Sequence, residues 1–303
     1  MVIFILYYLR AAGCLIGLAV GDALGAPLEC LSAQSVPVTR FISGGVHNLK
    51  AGSVTDDTYL ALAFAESLIY NRGYSRDDFL RRMIDEYLCA PHFYGPTSRF
   101  VFESELNKES AVCQKDPATV LYESRGGRSG NGGRSNGSVM RGAPAGIFYP
   151  PELVRDVSIR SSQITHRHPI ACECTAFVNQ MISRMVRGGD RRAAFDSALM
   201  QCEDGEVFEM LSNRGNYPIN PDMDALLTTH AAVSVFMDST SFEEMIVNAV
   251  NMGGDADTVG AVCGALGGAY WGLKSIPDDL VCGLLERERI EKAAFTLAEL
   301  AME

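Results

Sequence analysis

Apolar residues recur along most of this chain at the spacing of helix faces. Within 56–70, Leu60, Phe64 and Leu68 follow one another every four residues and therefore share one face of a helix. Ser53 and Asp56 have the spacing of a capping box, which predicts that this helix begins there. Similar patterns predict further helices over 77–88, 171–186, 223–237, 242–250 and 256–271.

Strand signals are few along the sequence. A β-branched run at 35–39 stands alone between proline and glycine residues, and no strand pattern alternates with helices as a βαβ unit requires. No fixed-period repeat indicates a solenoid, and no Pro/Ser-rich linker or charge run divides the chain. We therefore predict an all-α protein that forms one compact multi-helix domain over residues 1–303.

The first nine residues, MVIFILYYL, are apolar or aromatic and precede Arg10. A secretory signal would have basic residues before the apolar run and small residues after it, and a membrane span would need about 20 apolar residues. We interpret the segment as a buried first element, or as the product of an upstream start codon, and we expect no membrane association.

Charge and cysteine content narrow the class of protein. With 26 basic and 37 acidic side chains the net charge is −11, so we expect no nucleic-acid affinity, which needs a basic surface. The nine cysteines are an odd number without zinc-finger spacing, which is typical of free thiols in a reducing cytoplasm. We therefore expect a cytoplasmic protein. The five histidines do not have the spacing of a zinc site either.

Two short acidic clusters carry the candidate chemistry. SVTDDT at 53–58 and GGDADT at 253–258 each place two carboxylates and a threonine hydroxyl at the start of a predicted helix. Helix capping explains either cluster by itself. Together they offer the oxygen ligands that Mg²⁺, Mn²⁺ or Ca²⁺ requires, and four acidic groups in one place would repel each other without cations.

A Gly/Arg-rich loop, defined here as residues 125–141, contains six glycines and four arginines. It cannot form a regular helix, and its glycines allow backbone amides to approach a ligand closely. A solvated flexible loop explains the composition equally well. His166 and His168, in THRHP just before a predicted helix, have either a site role or a capping or surface role. The sequence has neither a G-x-S-x-G nucleophile elbow nor a Walker A lysine loop.

Five motifs in order carry a resemblance to a known family, and two of them are the acidic clusters, about 200 residues apart. The others are GLAVGDALGAPLE at 17–29, SNGSVMRGAP at 135–144 and THRHP at 165–169, and the second cluster extends to NMGGDADTVGAVCGALGGAYWG at 251–272. The chain resembles the ADP-ribosylglycohydrolase family, which includes the dinitrogenase-reductase-activating glycohydrolases and the crystallin-J1-related proteins. The resemblance implies an all-α fold with a central cleft that holds two Mg²⁺ or Mn²⁺ ions. It also implies removal of ADP-ribose from a modified protein side chain or a small conjugate.

The resemblance also assigns roles by position. One metal ion would be held by Thr55, Asp56 and Asp57. The other would be held by Asp255 and Thr258, with Asp257 bridging the two.

Further matching positions concern the substrate. Glu29 or Asp56 would take a proton from the attacking water, and Asn136, Gly137, Ser138, Met140 and His166 would bind substrate. The Gly/Arg-rich loop would cradle the diphosphate, and YGPT at 94–97 would line the cleft. The residues just before Asn136 do not match every branch of the family, so an arginine, serine, acetyl-ester or nucleobase leaving group stays open.

Three alternatives remain at this stage. The chain could be an inactive binding or structural module, but all six metal positions and Glu29 are present, which argues against this. It could be a two-metal phosphoester hydrolase, because such clusters often catalyse phosphoryl chemistry. It could also be a sensor that binds ADP-ribose and scarcely turns over.

Overall fold

The computed structural model describes residues 2–107 and 115–302, with the side chains described from residue 5 onwards. This part of the chain is built from α-helices and contains no β-strand, which confirms the predicted fold class. The helices are α1 (Val2–Gly25), α2 (Asp56–Asn71), α3 (Arg76–Cys89), α4 (Pro96–Leu106), α5 (Pro117–Ser124), α6 (Ala143–Phe148), α7 (Val154–Ser162), α8 (Pro169–Val186), α9 (Arg191–Met200), α10 (Gly205–Ser212), α11 (Ala225–Asp238), α12 (Phe242–Val250), α13 (Ala256–Trp271), α14 (Asp278–Gly283) and α15 (Arg287–Leu300).

The predicted helices are present, and α12 and α13 have the predicted bounds. The others differ by one or two residues at their ends, for identifiable local reasons. At α8, Pro169 occupies the first turn, where its missing N–H costs nothing, and the His168 ring accepts a hydrogen bond from the Ile170 amide. His168 is therefore a capping residue. At α11, Asp224 caps the helix by accepting from the amides of the second and third residues after it.

The capping box predicted at Ser53 and Asp56 is wrong. The residue at the N-cap of α2 is Thr55, and its side chain does not bond to the amides of the first turn. Its hydroxyl donates instead to Asp22 of α1, 2.8 Å away. A tertiary contact has therefore replaced the local cap at this helix end.

Helices α1 and α13 form the centre of the molecule and pack with their backbones in contact. Glycines spaced by four residues on α1 meet glycines on α13 in reverse order, so the two helices are antiparallel. A Cβ atom added to Gly21 would lie 1.9 Å from the carbonyl oxygen of Gly260, and one added to Gly264 would lie 1.9 Å from that of Gly17. This close approach brings the end of α1 beside the start of α13.

The apolar N-terminal segment is the first part of α1. Tyr7 is buried and its hydroxyl donates to the carbonyl of Ile147, whereas Ile5 and Leu6 are exposed. The buried first element therefore begins at Tyr7. The stretch Ile5–Leu28 is long and apolar enough to span a membrane, but its apolar window is 100% buried within the fold, as in the central helix of a packed protein.

Candidate active site

The N-terminus of α2 is fixed by a buried carboxylate of α1. Asp22 is fully buried and accepts hydrogen bonds from the amides and the hydroxyls of both Thr55 and Thr58, at 2.5 to 3.1 Å. Because the Thr55 hydroxyl gives its proton to Asp22, the lone pairs on its oxygen remain for another partner. Sequence reasoning assigned no role to Asp22, although it lies within the GDALG motif.

The two acidic clusters, 200 residues apart in sequence, meet in space. The Thr258 hydroxyl lies 3.4 Å from Oδ1 of Asp57 and joins the start of α13 to the start of α2. Ligand oxygens of Glu29, Asp255 and Asp257 all lie within 4.8 Å of one another. The structure therefore gathers the carboxylates that the sequence singled out into one cluster.

Burial and mutual repulsion shift the protonation of these carboxyl groups. Burial is the largest cause that raises the pKa of Asp56, Asp57 and Asp257 well above the usual value, and the neighbouring carboxylates raise it further. Burial, followed by the charges of Asp255 and Asp22, raises the pKa of Glu29 to about 7. Ionisation of these carboxyl groups is therefore unfavourable without a cation, and the metal-free cluster holds protons more tightly than exposed carboxyl groups do.

The donor set of the cluster fits hard divalent cations. Oε2 of Glu29 and Oδ2 of Asp57 are buried and accept no hydrogen bond within the described chain. Buried carboxylate oxygens are normally bonded, so an unmatched pair in one cluster indicates a missing positive partner. The available ligands are carboxylate and hydroxyl oxygens, which suit Mg²⁺ or Mn²⁺ rather than zinc.

The cluster lies in a cleft with a volume of about 120 Å³. YGPT, predicted to line the cleft, contributes Gly95, Pro96 and Thr97. Most of the residues predicted for the site also line it, namely Glu29, Asp56, Asp57, Asn136, Gly137, Met140, His166, Asp255, Asp257 and Thr258.

Ser138 and Thr55 do not line the cleft. Ser138 is buried, and its hydroxyl lies within hydrogen-bond distance of the Ser162 and Thr175 hydroxyls, at 2.8 and 2.9 Å. The Ser138 side chain therefore ties its turn to α7 and α8, which differs from the predicted role in substrate binding. Thr55 is buried, and its hydroxyl donates to Asp22.

Two of the four arginines of the Gly/Arg-rich loop are engaged with acidic side chains. Arg128 bonds to Asp204 at 2.7 Å, and Arg134 bonds to Glu206 at 2.8 Å and to Asp224 at 2.5 Å. These guanidinium groups are therefore committed to the protein and are not free to cradle a diphosphate. The loop contributes to the cleft through its later residues, from Ser135 onwards.

His166 lines the cleft as a neutral ring. Burial, followed by the charge of Arg141, lowers its pKa well below the usual value. The Thr165 hydroxyl oxygen accepts a hydrogen bond from Arg141 and lies 2.7 Å from Nδ1 of His166. The Thr165 hydroxyl can therefore donate its proton to Nδ1. Nε2 then carries the ring proton and faces the Ser135 hydroxyl, 3.0 Å away.

An aromatic wall, defined here as His47 and Phe93, borders the cleft beside Glu29. The two rings meet edge to face with centroids 4.9 Å apart, and Nε2 of His47 lies 3.5 Å from Oε2 of Glu29. Neither residue belongs to the motifs of the sequence analysis. Phe93 directly precedes YGPT, and its position beside this motif was the one feature of the sequence that could have indicated a place in the cleft.

Comparison with known proteins shows the family that this chain resembles along nearly its whole length. The family model described as ADP-ribosylglycohydrolase matches residues 6–303. ADP-ribosylarginine hydrolase Tri1 of Serratia proteamaculans (strain 568) is 29% identical over 97% of this chain and 80% of its own length. ADP-ribosyl-[dinitrogen reductase] glycohydrolase of Rhodospirillum rubrum is 29% identical, and the match covers 92% of each chain. A solved structure described as an ADP-ribosylglycohydrolase-related protein complex has a TM-score of 0.83 at 32% identity, over 98% of this chain and 99% of that one.

The fold and the site define an enzyme that hydrolyses glycosyl bonds. The chain belongs to the ADP-ribosylglycohydrolase family, as the match over nearly its whole length shows.

Proposed function

We propose that this protein releases ADP-ribose from a modified arginine side chain of another protein, with two divalent cations in the cleft. The observation that carries the proposal is the meeting of the two acidic clusters beside Glu29, where buried oxygens of Glu29 and Asp57 accept no hydrogen bond. Such a cluster is unfavourable at neutral pH unless cations balance it.

The residues present fit two Mg²⁺ or Mn²⁺ ions. Thr55, Asp56 and Asp57 would hold one ion, with the Thr55 hydroxyl oriented for this by Asp22. Asp255 and Thr258 would hold the other, and Asp257 would bridge both. When bound, the cations would orient the ribose hydroxyls and lower the pKa of the attacking water.

Glu29 is the best candidate for the general base. Hydrolysis at the anomeric carbon passes through an oxocarbenium-like transition state, so the attacking water must lose a proton as it adds. The pKa of Glu29, raised to about 7, places its carboxylate near the optimum for accepting that proton at neutral pH. Its unbonded Oε2 is free to do so. Asp56, whose side chain also lines the cleft, is the second candidate.

The remaining cleft residues would hold the ADP-ribose. Asn136 and His166 offer hydrogen-bonding groups, Met140 offers an apolar surface, and Gly137 allows close approach of the backbone. A Cβ atom on Gly137 would lie only 2.8 Å from the His166 ring, so a larger residue would close this part of the cleft.

Two observations favour arginine as the leaving group. Two similar proteins are named for ADP-ribosylarginine and for ADP-ribosyl-dinitrogen reductase. The Phe93 ring of the aromatic wall and the Glu29 carboxylate also line the cleft together, so both are available to a leaving group. A planar guanidinium is attracted both to an aromatic face and to a carboxylate.

The test is release of free ADP-ribose from arginine-, serine-, acetyl- and nucleobase-linked conjugates, with Mg²⁺, with Mn²⁺ and with chelator. We expect release from the arginine conjugate that chelator abolishes. Release from another conjugate alone would contradict the leaving group and leave the reaction class intact. Cleavage of the diphosphate, or tight ADP-ribose binding without release from any conjugate, would favour a phosphoester hydrolase or a sensor.

A further inference from the structure

One face of the cleft is held by a chain of buried hydrogen bonds that begins outside the acidic clusters. Thr228, on α11, is fully buried, and its hydroxyl donates to the backbone carbonyl of Asp222 at 2.6 Å. The same hydroxyl oxygen accepts from Nδ2 of Asn136 at 2.8 Å. Nδ2 of Asn136 donates its other proton to Oδ2 of Asp255.

Thr228 determines which groups donate and which accept in this series of hydrogen bonds. A hydroxyl has one proton, and here the Asp222 carbonyl takes it, because a carbonyl can only accept. Towards Asn136 the Thr228 oxygen can therefore act only as an acceptor. This requirement turns the NH₂ end of the Asn136 amide towards Thr228 and Asp255 and leaves its carbonyl oxygen for other partners.

The backbone of the same region is joined to both sides of the cleft. The amide of Asn136 donates to the carbonyl of Met223 at 2.9 Å, and the amide of Asp255 donates to that of Pro221 at 3.4 Å. Residues 221–223 thus connect the Asn136 turn to the second acidic cluster. The Thr228 hydroxyl bonds to the carbonyl in the middle of this connection.

We propose that Thr228 is a positioning residue for cation binding, acting through Asn136 on Asp255. This inference rests on the proposed function, because it assumes that Asp255 is a metal ligand. In it, the Asn136 amide holds one oxygen of Asp255 so that the carboxylate presents the other to the cation. Thr228 keeps the amide from turning its own oxygen towards Asp255, where two acceptors would repel each other. Groups that orient metal ligands in this way typically change metal affinity 10–100-fold when removed.

The experiment measures Mn²⁺ affinity directly, from the electron paramagnetic resonance signal of free Mn²⁺ titrated with protein, so that it does not depend on turnover. Thr228→Val removes the hydroxyl and keeps the shape, and we expect Mn²⁺ to bind about tenfold more weakly at the affected site. Thr228→Ser keeps the hydroxyl and should restore binding to within twofold. Should the valine variant not fold, Thr228→Ala removes the hydroxyl without placing a methyl group beside the Asp222 carbonyl and carries the same expectation.

Thr229 provides a matched control. It is the next residue on α11, it is equally buried, and its hydroxyl donates to the carbonyl of Ala225 rather than towards the cleft. Thr229→Val should therefore bind Mn²⁺ as the wild type does. Equal weakening in both valine variants would attribute the effect to general loss of stability and overturn the inference.

The remaining outcomes separate this inference from the proposed function. A folded Thr228→Val protein with unchanged Mn²⁺ affinity would overturn the role of Thr228 alone, and the proposed function would stand. A wild-type protein that binds no Mn²⁺ and no Mg²⁺ would overturn both.

Discussion

At the scale of single residues, the carboxylates of the cleft are held in an unfavourable state that a cation would relieve. Asp257 is buried, and its pKa is raised well above the usual value by burial and then by Asp255 and Asp57. One of its oxygens is near the Thr258 amide, at 2.9 Å. Asp257 therefore suits a cation site but lowers the stability of the fold when no cation is bound.

Replacing Asp257 by asparagine tests this opposition. Asp257→Asn should reduce ADP-ribose release about 100-fold or more, because a bridging ligand is lost. The same change should raise the unfolding free energy of the metal-free protein at neutral pH, because aspartate ionises more readily in the unfolded chain than in this buried site and asparagine does not ionise. Asp77→Asn, at an exposed first-turn aspartate of α3, should change neither quantity. Near-normal release by folded Asp257→Asn would contradict the assignment.

Glu29 predicts a pH dependence of stability in the metal-free protein. Because its pKa is raised from 4.5 to about 7, the folded state binds this proton more tightly than the unfolded chain does. The resulting stabilisation is fully present below about pH 4.5 and is lost as pH rises through about 7. Urea unfolding at intervals from pH 5 to 8, with chelator present, should show Glu29→Gln gaining stability relative to the wild type as pH rises. Parallel profiles would contradict this cause.

The aromatic wall makes a prediction about the leaving group. Phe93→Leu should reduce kcat/KM for the arginine conjugate by roughly 3- to 30-fold, the range of a lost cation–π contact. The affinity for free ADP-ribose should stay unchanged, because that ligand lacks the leaving group. Phe100→Leu, an exposed phenylalanine on α4, serves as the control. A loss of ADP-ribose affinity in Phe93→Leu would instead assign the wall to the nucleotide.

At the scale of elements, the site depends on how closely α1 approaches α13. The glycine rows leave no room for side chains between these helices. Asp22 lies near the end of α1 and Glu29 lies shortly after it, whereas Asp255 and Asp257 lie at the start of α13. The distance between the two helices therefore determines the size of the acidic cluster.

A single methyl group at this contact should have a large effect. A Cβ atom on Gly17 would lie 2.3 Å from the carbonyl oxygen of Gly264, so Gly17→Ala must separate the backbones. We expect a loss of about 3 kcal/mol in unfolding free energy, measured by urea denaturation, and weaker metal binding. Gly205→Ala, at the open start of α10 with no atom within 4 Å, should be neutral or slightly stabilising.

At the scale of the whole molecule, cation binding couples distant parts of the chain. The proposed ligands come from the starts of α2 and α13, so cations bound there would stabilise the folded state over the unfolded one. Saturation at about 100 times the dissociation constant adds about 2.7 kcal/mol. The melting temperature should therefore rise by several degrees with Mn²⁺ and return to the metal-free value with chelator. An unchanged melting temperature in a protein that binds Mn²⁺ would mean that the folded and unfolded chains bind the ion equally, and this would contradict a site that the fold assembles.

The sequence by itself determined the elements and most of the site. Helix periodicity is local, so α12 and α13 could be bounded from spacing alone, and two Asp-rich helix starts indicated oxygen-ligated cations. The resemblance added Glu29, Asn136 and His166, which the sequence pattern could not have brought together.

The tertiary structure alone decided which polar groups face the cleft. Asp22 replaces a local cap at α2, Ser138 bonds towards α7 and α8, and Arg134 of the Gly/Arg-rich loop bonds to acidic partners. His47 reaches Glu29 from 18 positions along the chain. These roles depend on which donor lies nearest in space, and that follows from packing between helices distant in sequence rather than from any local pattern.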